Sequence, residues 1–329
     1  MTKFFSWDRL IKDKRVKFIF FLSIVIFIYL YLKNTGQDFT EITKINRPIY
    51  LLIAFPVILM SLYLHGFAWY KILNLLGSKI SVTASIYLYY SSALGRYVPG
   101  SFWYVLLRSA IGYDLGISPE TSMVGVGFEL LLTISSGIAV IVIGLVFGKL
   151  TFTDDQVTPL LWFTGISLIL LTLIVILSKI FASKGESSSP KTSAISLLPQ
   201  AINKIRTLPK KELLHLFILF FTTWFSQGTA FFLLTQAWNS LSTSTLLTFI
   251  AVYASGWLIG FINPLTPNGI GSRETLFLLA LPNLLSPPII LATSIMMRLL
   301  GIIGEFLFAL IFWLLVRINP KQNDTITPV

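Results

Sequence analysis

Apolar residues fall in runs long enough to cross a bilayer, separated by short polar loops, and they predict helical spans over 18–32, 50–76, 119–147, 160–180, 213–238 and 287–316. Two further apolar stretches, 81–111 and 246–281, are broken in the middle by polar, proline and glycine residues. The first break is Gly95-Arg96-Tyr97-Val98-Pro99-Gly100-Ser101, between predicted helices over 81–94 and 102–111. The second runs from Asn263 through Pro264, Pro267, Asn268, Gly269 and Gly271 to Ser272-Arg273-Glu274, between predicted helices over 246–262 and 275–281. As one helix the stretch 81–111 would be about 45 Å long, against a hydrocarbon core of about 30 Å, so a re-entrant hairpin fits it better. Irregular backbone at that depth must face protein or a water-filled cavity, because lipid cannot satisfy its hydrogen bonds.

Charge orients these elements. The 329-residue chain carries a net charge of +11 on only 12% charged residues, with 55% hydrophobic residues, which is the balance of a polytopic membrane protein rather than of a nucleic-acid binder. Six basic residues from Lys3 to Lys17 precede the first span, and no small-x-small cleavage site follows it, so it is expected to be retained. Lys184, Lys191, Lys204, Arg206, Lys210 and Lys211 fall in the linker 181–212, where Leu198, Ile202, Ile205 and Leu208 mark an interfacial amphipathic helix. With both hairpins re-entrant, all basic segments and both termini lie on the cytoplasmic side of a multi-pass plasma-membrane protein. Full crossings would put the most basic loop outside. The chain has no cysteine, and its two histidines, His65 and His215, are far apart, so no metal, disulfide or cofactor is expected.

An internal repeat underlies the order of elements. Pro99 and Pro267 are offset by the same interval as Ser118-Pro119 and Ser286-Pro287, and Gly66-Phe67-Ala68 matches Gly228-Thr229-Ala230 at a nearby offset. The expected fold is an all-α integral membrane protein, a single domain over 1–329 made of two inverted-topology repeats, 16–148 and 158–317. Each repeat holds three transmembrane helices and one re-entrant helical hairpin. Cysteines placed at Ser101 and Ser272 would then react from opposite sides of the membrane.

Seven charges fall at membrane depth: Arg96, Arg108, Glu129, Arg273, Glu274, Arg298 and Glu305. Each costs about 2.5–3.5 kcal/mol to insert and needs a partner, a cavity or a ligand. Glu129 and Arg298 occupy nearly equivalent repeat positions and are expected either to pair across the pseudo-twofold or to meet substrate. Arg108 is expected to snorkel toward the cytoplasm or to bind. Arg96 and Arg273 sit beside breaks whose next half-helices begin at Ser101 and Ser272, where backbone N–H groups and a guanidinium converge as phosphate recognition requires. Tyr97, Gly100, Asn268, Gly269 and Gly271 complete this candidate substrate site. Gly125, Gly127, Ser135, Ser136 and Gly137 predict close helix packing. Asp154-Asp155 reads as a solvated loop.

The run Gly95-Arg96-Tyr97-Val98-Pro99-Gly100, Glu129, the run Pro267-Asn268-Gly269-Ile270-Gly271-Ser272-Arg273-Glu274, and Arg298-Leu299 resemble the lysylphosphatidylglycerol synthase transmembrane, or flippase-like, family across nearly the whole chain. That resemblance implies movement of a lipid between leaflets, with members tied to aminoacylated phosphatidylglycerol, hopanoids or polyprenyl-linked glycans. Asn268 departs from a position where glycine is common. The soluble aminoacyl-transferase domain of the larger members is not present in these residues, so the resemblance does not imply lipid aminoacylation. The expected activity is transport of an anionic-headgroup lipid rather than enzymatic conversion, without an ATP-binding loop. Movement is either passive or coupled to a proton or ion, with Glu129, Glu274 and Glu305 as the carriers to consider. The rival readings are a membrane-embedded glycosyltransferase and an accessory scaffold for a lipid-modifying enzyme.

Overall fold

The computed structural model describes residues 40–97, 103–148, 208–262 and 269–318. The predicted spans over 18–32 and 160–180, the linker helix up to 207, and Asp154-Asp155 lie outside the described residues. Among those described there are helices and turns and no strand. After a helical turn at Thr40–Thr43 come α1 (Ile49–Leu75), α2 (Val82–Ala93), α3 (Trp103–Asp114) and α4 (Pro119–Phe147). The second set is α5 (Lys210–Thr235), α6 (Leu246–Ile262), α7 (Ser272–Ala280) and α8 (Pro287–Ile318).

Local chemistry sets these boundaries. Gly77 and Gly116 adopt φ of 92° and 73°, and the amides of Ser78 and Ile117 close onto Leu73 and Gly112 carbonyls at 3.0 and 2.9 Å, ending α1 and α3. Ser81 and Ser118 then accept from the Ala84 and Thr121 amides, both at 3.2 Å, which starts α2 and α4, the latter with Pro119 in its first turn. Five described helices are long and apolar enough to cross a membrane: Ile49–Leu75, Pro119–Phe147, Lys210–Thr235, Thr243–Phe261 and Pro287–Ile318. The two broken stretches therefore differ. The arm before the second break has the length to span by itself, whereas α2, with 12 residues, extends only about 18 Å.

The halves interlock rather than sit side by side. Helix α1 packs along α5, α2 packs on α8, and α6 packs on α4, so each set of helices supplies the neighbours of the other. Small residues permit this. A Cβ on Gly144 would lie 2.1 Å from the Ala251 Cβ and one on Gly304 2.6 Å from the Leu62 Cδ1, both across the halves, while within each half one on Gly66 would meet Ile86 at 3.0 Å and one on Gly228 would come within 2.5 Å of the Ile250 Cα. Ala68 and Ala230, two residues on, are fully buried. Three members of the glycine and serine stripe of α4 pack closely: Gly125 lies against Trp69 and Gly137 against Trp224, whose Nε1 donates to the Thr133 carbonyl at 3.2 Å and to Ser136 Oγ at 3.1 Å, whereas Ser135 is exposed.

This packing separates two glycines that composition alone makes equal. In Gly228→Ala the new methyl strikes backbone of α6, and overpacking of about 1–3 kcal/mol outweighs a helix-propensity gain of at most about 1 kcal/mol. In Gly301→Ala the methyl meets nothing within 4 Å, so only the propensity gain remains. Thermal unfolding in detergent should give a lowered midpoint for the first variant and an equal or raised one for the second.

Candidate functional site

The two broken stretches and the helices that follow them surround a cavity of about 330 Å³. Arg96, Arg108, Arg273 and Arg298 line it together with Glu129 and Glu305, and Tyr89, Trp224, Tyr253, Trp257 and Phe261 supply aromatic wall. His65 also lines it, edge-on to Phe220 at 5.7 Å between ring centroids.

Each half contributes an internal ion pair between its short second helix and its last long helix, with the signs exchanged. In the first, Arg108 of α3 meets Glu129 of α4; in the second, Glu274 of α7 meets Arg298 of α8. Arg108 is 1% exposed, and its guanidinium carbon lies 4.5, 4.3 and 5.6 Å from the ring centres of Trp69, Tyr89 and Tyr104. Its Nε donates to Ser92 Oγ at 3.0 Å, and the Tyr89 hydroxyl donates to Glu129 Oε1 at 2.7 Å. Arg108 therefore does not snorkel: its charge is held inside a cage built by α1, α2 and α3.

In the second half, Arg298 Nε donates to Glu274 Oε1 at 2.9 Å, and its Nη2 reaches Glu274 Oε2 at 3.3 Å and the Gly269 carbonyl at 3.2 Å. Ser294 Oγ and the Gly271 amide each donate to the same carboxylate at 2.7 Å. Glu274 thus closes the first turn of its own helix, in the role expected for an anionic ligand at Ser272. Gly269 and Gly271 stand at φ of 66° and 89°, a region costly for any side chain. A Cβ on Gly269 would come within 2.4 Å of Gly260, so the break rests directly on α6. Ser272 is 8% exposed, and Arg273, also buried, extends along Gly260 with its guanidinium 5.6 Å from the Trp257 ring centre.

A third pair joins the halves. Arg96, in the 3-10 turn Leu94–Tyr97 after α2, donates from Nη2 to Glu305 Oε1 on α8 at 3.1 Å. The expected contact between Glu129 and Arg298 does not form, because each finds a partner in its own half at shorter reach. Of the other predicted site residues, Gly100, Ser101, Asn268 and the side chain of Tyr97 lie outside the described residues. Tyr89, Ser92, Ser294, Trp257 and Gly260 were not singled out from sequence. Ser294, four residues before Arg298, and Ser92, three after Tyr89, share helix faces with residues of the site, which is the spacing that points to them.

With the pairs internal to each half, Glu129→Gln or Arg108→Met alone leaves a buried unpaired charge and should cost about 3–5 kcal/mol, with much of it recovered in the double variant. Glu129→Gln combined with Arg298→Met should instead add to within about 0.5 kcal/mol. Unfolding free energies of the two cycles in detergent check this, and coupling in the second cycle would contradict the pairing.

No curated protein matches the chain. The family model for the lysylphosphatidylglycerol synthase TM region matches residues 16–315. The charged cavity thus lies within the matched region, and the chain is a multi-pass membrane protein that belongs to the lysylphosphatidylglycerol synthase TM region family.

Proposed function

We propose that the protein moves a lipid with an anionic headgroup between the leaflets of the membrane, the headgroup passing through the cavity while the chains stay in the bilayer. The observation that carries this reading is the charge balance of the cavity. Among the described residues, four arginines and two glutamates line it, and with Glu274 behind Arg298 these sum to one positive charge in excess. Such an excess inside a low-dielectric bundle is stabilised by an anion, and arginine forks suit phosphate oxygens. Its volume of about 330 Å³ accommodates a phosphate-bearing headgroup and is too small for whole acyl or prenyl chains.

The architecture fits the same reading. Exchanged packing of α2 on α8 and α6 on α4, with sign-exchanged ion pairs in corresponding places, supports two inverted repeats around a central site. We read the breaks as re-entrant, the membrane as the plasma membrane and both termini as cytoplasmic, from the distribution of basic residues. Glu129 and Glu274 are each held by an arginine and by a hydroxyl, of Tyr89 and Ser294 respectively, which supports fixed roles for these two and a passive movement.

Arg273 carries the most direct test, since it reaches the cavity from the first turn after the second break. In vesicles containing fluorescent phosphatidylglycerol, the wild type should equalise the probe between leaflets. Arg273→Gln should abolish this, and Arg273→Lys, which keeps the charge and loses the fork, should retain only part of it, at unchanged folded yield. Wild-type rates in Arg273→Gln would remove Arg273 from the site. Product formation from a sugar donor without lipid movement would favour a transferase instead.

A further inference from the structure

The three ion pairs of the cavity are not equally replaceable. Arg108 is caged by three aromatic rings, and Glu129 is fixed further by Tyr89. Glu274 accepts from Arg298, Ser294 and the Gly271 amide, so displacing it would also open the first turn of α7. Arg96 with Glu305 is different. Their side chains are 28% and 12% exposed, against 1% and 13% for Arg108 with Glu129 and 17% and 8% for Arg298 with Glu274, and Arg96 Nη2 donates to Glu305 Oε1 at 3.1 Å. The arginine most open to solvent belongs to the pair whose attraction water screens most, so it is the most readily exchanged of the three. It is also the pair that spans the halves, across 209 residues, and both members line the cavity.

We infer that Glu305 is an internal competitor for the anion site, occupying at Arg96 the position of a phosphate oxygen of the lipid headgroup. This rests on the reading of the cavity as a lipid-headgroup site and adds how that site is kept closed when empty. A carboxylate and a phosphate present similar oxygens to a guanidinium, so one replaces the other without leaving Arg96 uncompensated. When the headgroup takes Arg96, Glu305 is released into the polar cavity and the link between the turn after α2 and helix α8 is broken. Headgroup binding and separation of the halves are thereby the same event. An empty cavity stays latched, which keeps unpaired charge away from lipid.

Saturable binding of dioleoylphosphatidylglycerol to the detergent-solubilised full chain, read by native mass spectrometry, tests this with four variants beside the wild type. Removing the competitor in Glu305→Gln should tighten binding up to about fivefold, the order expected for loss of one competing, partly solvated ion pair. Glu305→Asp keeps the charge but shortens the reach, and should tighten binding by an intermediate amount, which a merely general change in cavity potential would not produce. Arg96→Gln should weaken binding, and the double variant Arg96→Gln/Glu305→Gln should match Arg96→Gln, because the gain requires the arginine. Tightening that persists in the double variant, or Glu305→Asp binding as the wild type does, would overturn the competition. If Glu305→Gln lowers the yield of folded protein, the Asp variant and the Arg96 background still decide. Inorganic phosphate, titrated in parallel, separates the sources: a gain for phosphate without a gain for the lipid would overturn the headgroup assignment. Absence of saturable lipid binding in every variant, wild type included, would instead remove the lipid reading on which the competition rests.

Discussion

An ionised side chain in the middle of a bilayer costs several kcal/mol unless an opposite charge or water meets it, and this protein places three arginine–glutamate pairs and a further arginine around one cavity. The rest of the bundle follows from that requirement. Broken helices let polar backbone reach the cavity, positive-φ glycines at 269 and 271 turn the chain there, and Gly260 lets that turn and the Arg273 side chain approach α6. Glycines at 66 and 228 let neighbouring helices pack closely within each half, and Gly144 and Gly304 do the same between the halves.

Much of this was legible in the sequence because bilayer length and helix punctuation are local. Pro119–Phe147 and Leu246–Ile262 fall at the expected bounds, and the two breaks fall where proline and glycine interrupt apolar runs. The partners of the charges were not legible. Glu129 and Arg298 occupy nearly equivalent places in the repeat expected from the sequence, so symmetry suggested that they meet. Each instead pairs within its half, 21 and 24 residues away, because the short helix after a break folds back beside the next long helix. The reach of Arg96 to Glu305 depends on how the halves interlock, and no local pattern encodes it. The cage around Arg108 was hidden for a similar reason: its three rings come from three helices, and only packing shows that they share one guanidinium.

The division of labour among the pairs connects architecture to activity. Two are enclosed by rings, hydroxyls or a helix turn and serve as rigid struts of their halves, while the pair between halves is the most exposed. The proposed transport would use such a difference, since in a transport cycle the halves remain intact while the boundary between them changes. On the proposed reading, the excess positive charge among the described lining residues favours entry of an anion, and the modest volume suits a headgroup.

The central claim is that the cavity holds an anionic, phosphate-bearing lipid headgroup, and the lipids that remain with the purified protein test it most directly. Mass spectrometry of lipids extracted from the detergent-purified chain, compared with the membrane it came from and with an unrelated membrane protein purified in the same way, should show selective enrichment of phosphate-bearing anionic lipid. Retained lipid with the composition of the bulk membrane, or enrichment of uncharged lipids alone, would contradict the account.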